Sequence, residues 1–511
     1  MKKTLCAMIL TATLSVMAQV EVSAQNTSTP ALVHSLVGDR SPGCADEIQL
    51  INIGKKQQYA GGASNTRDTD IFSPKSVTFS RDGKKIYVNN LEGGTTVVYS
   101  TDSLEKTKVI KHTFGTTDLK KTAALSGFYP FTHYLEGDKR SYMGKPVEST
   151  WSHQGRYLWV TYYRRSFDMN AQDPSAVAVI DTNVDSIIRI FETGPLPKMI
   201  ATSNSGNLIA VTHWGDNTVG FIDISSASPL EWHHLPPVII GHKLNLDFPL
   251  DKPVNRDKNS GFLLRGTLFT PDDKYLLVSS MAGPLQIIDL ERMEHIGRVD
   301  GLYGIRHLER YDTLFYGSKN VGGTIVKVNI NNLMHEIKRA VDSGTKNIAT
   351  PEETIEVKVG TGARTLSVTP DGRYVIVACN SASAVYVVDA VTMKVVDSIR
   401  CDSYPVGLSV SPDGHIMAVT SQGRNYQGGN ALNIFRIERF GSDIVETEAM
   451  EVEASDLEDN EGEKLNEEDN RKDSGETPFN PLTQWDIILY ISLIIGILII
   501  IIILFRRKKR K

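Results

Sequence analysis

The chain is expected to fold as an all-β, seven-bladed β-propeller of four-stranded antiparallel blades, with a C-terminal transmembrane helix. Three observations carry this expectation. A turn-and-strand signature recurs seven times, each copy belongs to a unit of about 40 residues, the size of one blade, and a long uncharged run lies near the C terminus.

The clearest unit surrounds the turn Pro370-Asp371-Gly372. Thr365–Val368 and Tyr374–Val377 flank it as short β-branched strands, Ala384–Val388 follows as a third strand ending at Asp389, and Thr392–Ile399 alternates weakly like an exposed edge strand. Related turns are Ser80–Gly83, Ser152–Gly155, Ser203–Gly206, Pro271–Asp273 and Ser411–Gly414, with a degenerate copy at Arg310–Asp312. The runs AVAVID (176–181), TVGFID (218–223), PLQIID (284–289) and TIVKV (324–328) are third strands. The terminal aspartates of the first three, Asp181, Asp223 and Asp289, suit the amides of a following turn, a structural role. After the seventh turn only Ala431–Ile437 remains as strand, so the last blade needs one from the N terminus, and Glu47–Ile53 is the candidate. Closure of this kind removes open sheet edges.

The ends of the 511-residue chain differ from its middle. Residues 1–24 read as a secretory signal peptide: a basic start at Lys2-Lys3, an apolar core from Leu5 to Val16, and Val22-Ser23-Ala24 before the cleavage point. Residues 25–44 form an N-terminal extension, 45–440 the propeller, and 441–484 an acidic tether too poor in apolar residues to order itself. Residues 485–505 are the expected transmembrane helix, since Ile487–Phe505 is a run of 19 residues without a charge, long enough to cross the roughly 30 Å of bilayer hydrocarbon. Arg506–Lys511 would be a basic cytoplasmic tail. The expectation is therefore an exported propeller, anchored in the cytoplasmic membrane by this helix.

A net charge of −5 argues against nucleic acid as a partner. Cys44, Cys379 and Cys401 outlast signal removal and form no C-x-x-C pair, so zinc and c-type haem attachment find no support. A Cys44–Cys401 disulfide and separate apolar packing of the two are both compatible with the spacing. No G-x-S-x-G or H-E-x-x-H occurs. Gly360-Thr361-Gly362 leads into a strand rather than a helix and is not a dinucleotide loop. His233-His234 and the pair Asp68 and Asp70 lack the further ligands a metal site needs. No metal or cofactor is expected.

The intact turn Ser411-Pro412-Asp413-Gly414, its variants at Thr369 and Ser80, and the strand Tyr87-Val88-Asn89-Asn90 resemble the YVTN-repeat family of bacterial propellers, including YncE-like proteins. The resemblance spans roughly residues 45–438. It implies the propeller fold and leaves function open, because this architecture serves many roles.

In a propeller, ligands sit over the channel mouth where all blades converge. Counting eight residues back from each turn glycine gives Lys75, Val147 beside Glu148, Lys198, Arg265, Arg364 and Val406, with Arg306 as the nearest match in the degenerate blade. Five blades thus aim a cation at one rim of an acidic chain, a funnel for anions. Nearby loops add Arg164, Arg165, His213, Trp214, Lys319, Asn380, Arg424 and Tyr426 as ligand-binding candidates. The leading expectation is a non-enzymatic binding scaffold for an anionic small molecule or an acidic protein segment. A resemblance to lactonase-type propellers implies an alternative, with Glu148, His213 or His307 as general base. A resemblance to haem d1-binding propellers implies a third, with His213 as axial ligand.

Overall fold

The computed structural model describes residues 35–43, 47–58, 66–129, 142–249, 252–256, 261–423 and 429–440. These belong to the first of two units divided at Asp443. Seven antiparallel sheets stand around an axis. Their innermost strands are Pro74–Phe79, Tyr142–Ser152, Pro197–Thr202, Leu264–Phe269, Ile305–Tyr311, Ala363–Val368 and Pro405–Val410. Each packs beside the next, and the seventh returns beside the first. The hydrophobic core is the set of interfaces between neighbouring blades. Val77, Ile200, Leu308, Leu366 and Leu408 of the inner strands are buried there, with second- and third-strand residues such as Trp159, Phe221, Phe315 and Phe435.

The turns follow one chemical plan. Thr369, Ser411 and Ser80 donate to the aspartate two residues on, which also accepts the amide two residues beyond it, at Arg373, His415 and Lys84. The turn glycines Gly83, Gly372 and Gly414 have φ of 70°, 72° and 75°, a conformation that costs a side-chain-bearing residue roughly 1–2 kcal/mol. The aspartates ending third strands also act structurally. Asp181, Asp223, Asp289 and Asp389 each accept the amide two residues later.

The N terminus closes the ring. Ile48–Gln57 pairs antiparallel with Ala431–Arg439 as the outermost strand of blade seven. A buried network locks this seam. Lys55 Nζ lies 2.9 Å from Asp402 Oδ1 and donates to the Ser35 carbonyl at 3.0 Å, while Asn433 donates to Asp402 Oδ2 at 2.8 Å.

The fold departs from expectation in three places. First, two blades are five-stranded rather than four-stranded. Thr113–Phe114 extends the second, and Asn347–Ile348 adds in parallel to the outer strand of the fourth. Second, a helix, Ile330–Ser343, is inserted between the third and fourth strands of blade five. Asn329 caps its first turn, Gly344 at φ 68° ends it, and Ile330, Leu333, Ile337 and Ala340 form its buried stripe. Third, the C-terminal transmembrane helix is corrected. Among the described residues no helix is long and apolar enough to cross a membrane; Ile330–Ser343 spans only about 21 Å against the roughly 30 Å required. Residues 485–505, like the expected signal, tether and tail, lie outside the described residues.

Candidate functional site: a cationic ring in the channel

One local device recurs where the chain enters each inner strand. The register with the second strand slips at a β-bulge that straddles the predicted rim position in all seven blades: Lys75, Val147, Lys198, Arg265, Arg306, Arg364 and Val406. A bulge re-aims the side chain it carries, and such bulges favour rims and active sites. Two residues upstream, six blades place a left-handed residue: Ser73, Leu196, Leu263, Gly304, Gly362 and Tyr404, with φ between 51° and 78°. For the four that are not glycine this costs roughly 1–2 kcal/mol each. Loop amides hold it in place, since Leu91, Trp214, Met281 and Gln422 donate to the carbonyls of Ser73, Leu196, Leu263 and Tyr404. Blade two lacks the left-handed residue.

The ring's backbone is also tied to the preceding blade. Thr161 donates to the Lys198 carbonyl at 3.0 Å, Thr212 to that of Arg265 at 2.9 Å and Thr365 to that of Val406 at 2.7 Å; Ser318 donates to that of Arg364.

The cations meet. Burial pushes the Lys75 amine well below the usual lysine range, Arg364 and Arg265 push the same way, and Glu148 opposes them. Burial also lowers Arg306, followed by Arg265 and Arg364. Groups from blades one, two, four, five and six act on one another at this level. Arg265 and Arg364 are only 4% exposed, while Lys75, Lys198 and Arg306 are half-buried. Aromatic faces support one side. Lys198 Nζ sits 3.9 Å from the Tyr163 ring centre and 4.9 Å from that of Trp214, and the Arg265 guanidinium is 5.4 Å from Trp214. Arg306 reaches Met281 Sδ at 3.2 Å.

Below the ring lies a cavity of about 1100 Å³. Its first layer, one residue along each strand, includes Ser76, Glu148, Met199, His307, Thr365 and Gly407. Burial and then Arg265, Arg306 and Arg364 hold the His307 imidazole down at about 3, so it is neutral near pH 7. Its Nδ1 has no hydrogen-bond partner among the described residues. Two residues deeper the wall carries Thr78, Thr150, Ser367, Ser409 and Glu309. Burial alone raises the Glu309 carboxyl to about 7.

The remaining sequence candidates lie elsewhere in the local chemistry. His213 is 0% exposed: its Nε2 accepts from the Gly194 amide at 3.1 Å, and its Nδ1 bonds Thr218 Oγ1 at 2.7 Å, which donates on to Asp216. Both ring nitrogens are engaged, and burial lowers the imidazole to about 3. This histidine is a structural strut, without a nitrogen for a haem iron or a proton from water. Arg164 donates to the carbonyls of Asp168 and Met169, fastening its own loop. Arg165 is buried against the rings of Phe167 and Tyr142, at 4.7 and 5.8 Å. Lys319 pairs with Glu356 at 2.5 Å. Asn380 is buried, its amide donating to the Gly362 carbonyl. Cys401 and Cys379 are free buried thiols. Cys44, Arg424 and Tyr426 lie outside the described residues.

Two participants escaped the sequence reading. Tyr404 acts electrostatically on both Arg306 and Arg364. Glu309 lies only three residues beyond Arg306, and strand alternation from His307 would have placed it on the channel wall.

No protein-family model and no curated protein matches the chain. Similar solved structures include Kuenenia stuttgartiensis hydrazine synthase, with 13% identity, a TM-score of 0.48, and coverage of 74% of this chain and 99% of the other. Another is the β-propeller domain of Myceliophteria thermophila Cps50 (Swd1), also 13% identical with a TM-score of 0.48, over 75% and 99% of the two chains. Strand pairing within this chain defines it as a seven-bladed β-propeller.

Proposed function

We propose that this propeller binds an anionic ligand at the ring of Lys75, Lys198, Arg265, Arg306 and Arg364. The observation that carries the reading is convergence: cations from separate blades are sunk together, and Arg265 and Arg364 weaken the hold of both Lys75 and Arg306 on their charge. Like charges held this closely cost stability, and an anion would offset that cost. Guanidinium groups add paired donors suited to carboxylate or phosphate. The resemblance to YVTN-repeat propellers belongs to the same proposal, supported by the Ser-x-Asp-Gly turns and their hydrogen bonds.

The test is calorimetric titration of the full chain with sulfate and inorganic phosphate. Binding should weaken with added salt and fall about 100-fold in Arg265→Ala/Arg364→Ala. Unchanged affinity in a folded double variant would refute the site.

A hydrolytic reading draws on one further observation, that Glu148 and His307 lie in the same wall layer directly beneath the ring. Turnover of a sugar-acid lactone that disappears in Glu148→Gln and His307→Ala would favour it. Turnover at the uncatalysed rate would dismiss it.

A further inference from the structure

We infer that the ligand is a polyhydroxylated acid, its anionic group held by the cationic ring and its hydroxyl-bearing body lying against Glu309 and the Ser/Thr wall beneath. This rests on the anion-binding reading and adds the chemistry of the rest of the ligand.

The argument comes from the layering of the channel. The bulge turns one residue per blade into the ring; from there ordinary strand alternation points every second residue at the axis. In blade one these are Ser76 and Thr78, in blade six Thr365 and Ser367, and in blade seven Gly407 and Ser409. The wall therefore carries several hydroxyls; Thr365 already donates to the Val406 carbonyl and Thr78 accepts from Trp151 Nε1, while Ser367 and Ser409 also line the cavity. Within it Glu309 is half-buried and lines the cavity, with desolvation the influence on its carboxyl and no cation answering it among the described residues. A carboxyl kept on a desolvated wall without a partner is costly unless something in the cavity satisfies it.

The occupant's chemistry follows by elimination. A cationic ligand is repelled by the ring. An aliphatic acid would satisfy the ring but offer Glu309 and the wall serines no hydrogen-bonding group of its own. A chain of adjacent hydroxyls gives Glu309 two donors and the wall serines Ser367 and Ser409 both donors and acceptors. The dimensions agree: Glu309 is three residues below Arg306 on one strand, roughly 10 Å at strand rise, and the volume of about 1100 Å³ holds a sugar-sized molecule with water.

Gluconate and hexanoate separate the two parts, since both are six-carbon monocarboxylates and only the first carries hydroxyls. Sulfate reports the ring alone. In the full chain, gluconate should bind at least about tenfold more tightly than hexanoate. That preference should shrink to about twofold in Glu309→Ala and fall in part in Glu309→Gln and Ser367→Ala, with sulfate affinity kept within about twofold as the check on folding. Equal affinity for gluconate and hexanoate, with sulfate still bound, would overturn this inference and leave the anion-binding reading standing. A preference for gluconate that persists in Glu309→Ala and Ser367→Ala would also overturn it. Failure of sulfate, gluconate and hexanoate alike would remove both.

Discussion

The seam that closes the ring and the ring in the channel both bury charge, and they do so in opposite ways. At the seam Lys55 and Asp402 are 5% and 1% exposed in their side chains, 2.9 Å apart, and further satisfied by Ser35 and Asn433. In the channel, Lys75, Arg265, Arg306 and Arg364 crowd together with Glu148, and the dominant influences on Lys75 after burial are the like charges of Arg364 and Arg265. Balanced charge fixes the N-terminal strand against blade seven. Like charge gathered from separate blades, at bulges and left-handed residues, is strain that a fold alone does not require. On the proposed reading, the contrast separates groups that hold the protein together from groups kept for an arriving anion.

The largest expected effect breaks the seam. Lys55→Ala leaves Asp402 buried without its cation and should cost roughly 3–5 kcal/mol, read as a lower midpoint in urea. A loss below about 1 kcal/mol would mean that the pair is not what closes the ring. The next effect lies on the other side of the comparison. Arg265→Ala/Arg364→Ala should lose anion binding about 100-fold while unfolding at a midpoint close to the wild-type value, because removing like charges compensates for lost packing.

Glu309 gives a smaller effect with a definite sign. Its folded carboxyl titrates at about 7, above the usual 4.5. The folded state therefore holds a proton that the unfolded chain releases, and stability falls as pH rises from about 4.5 to about 7 and then levels. Glu309→Gln should abolish that fall and stabilise the protein above pH 7 by at most roughly 3 kcal/mol, less where channel water screens the group. Equal slopes for variant and wild type between pH 4.5 and 7 would place Glu309 in ordinary solvent. The smallest effect tests the scaffold under the ring. Thr212→Val removes the hydroxyl bonded to the Arg265 carbonyl and should cost about 1 kcal/mol, with a several-fold loss of sulfate affinity as Arg265 loosens.

Much of this was legible in the residues because the repeat keeps one interval constant. In blades one, three and six, eight residues separate Lys75, Lys198 and Arg364 from the left-handed Gly83, Gly206 and Gly372. In blade four Asp273, at φ 54°, takes the glycine's place without changing the count from Arg265. Blade five is two residues shorter: Asp312, at φ 51°, makes the turn, so Arg306 falls outside the eight-residue interval. The bulges themselves carry no sequence mark, since they sit at Lys, Val and Arg alike. His213 read as reactive because one sequence does not reveal that Gly194 and Thr218 occupy both its nitrogens. The helix at Ile330–Ser343 did have a signal, in the spacing of Ile330, Leu333, Ile337 and Ala340 between Asn329 and Gly344, but it interrupts a blade where the repeat supplies a strand.

The central claim is that the crowding of like charges in the ring is relieved by a bound anion. Thermal unfolding of the full chain with and without sulfate, in wild type and in Lys75→Met, tests it most directly. Lys75→Met removes a desolvated like charge while keeping its bulk, so without sulfate the variant should unfold at the same temperature as wild type or higher, and sulfate should raise its midpoint by less. A variant that loses stability without sulfate, yet gains as much from sulfate as wild type, would contradict the account.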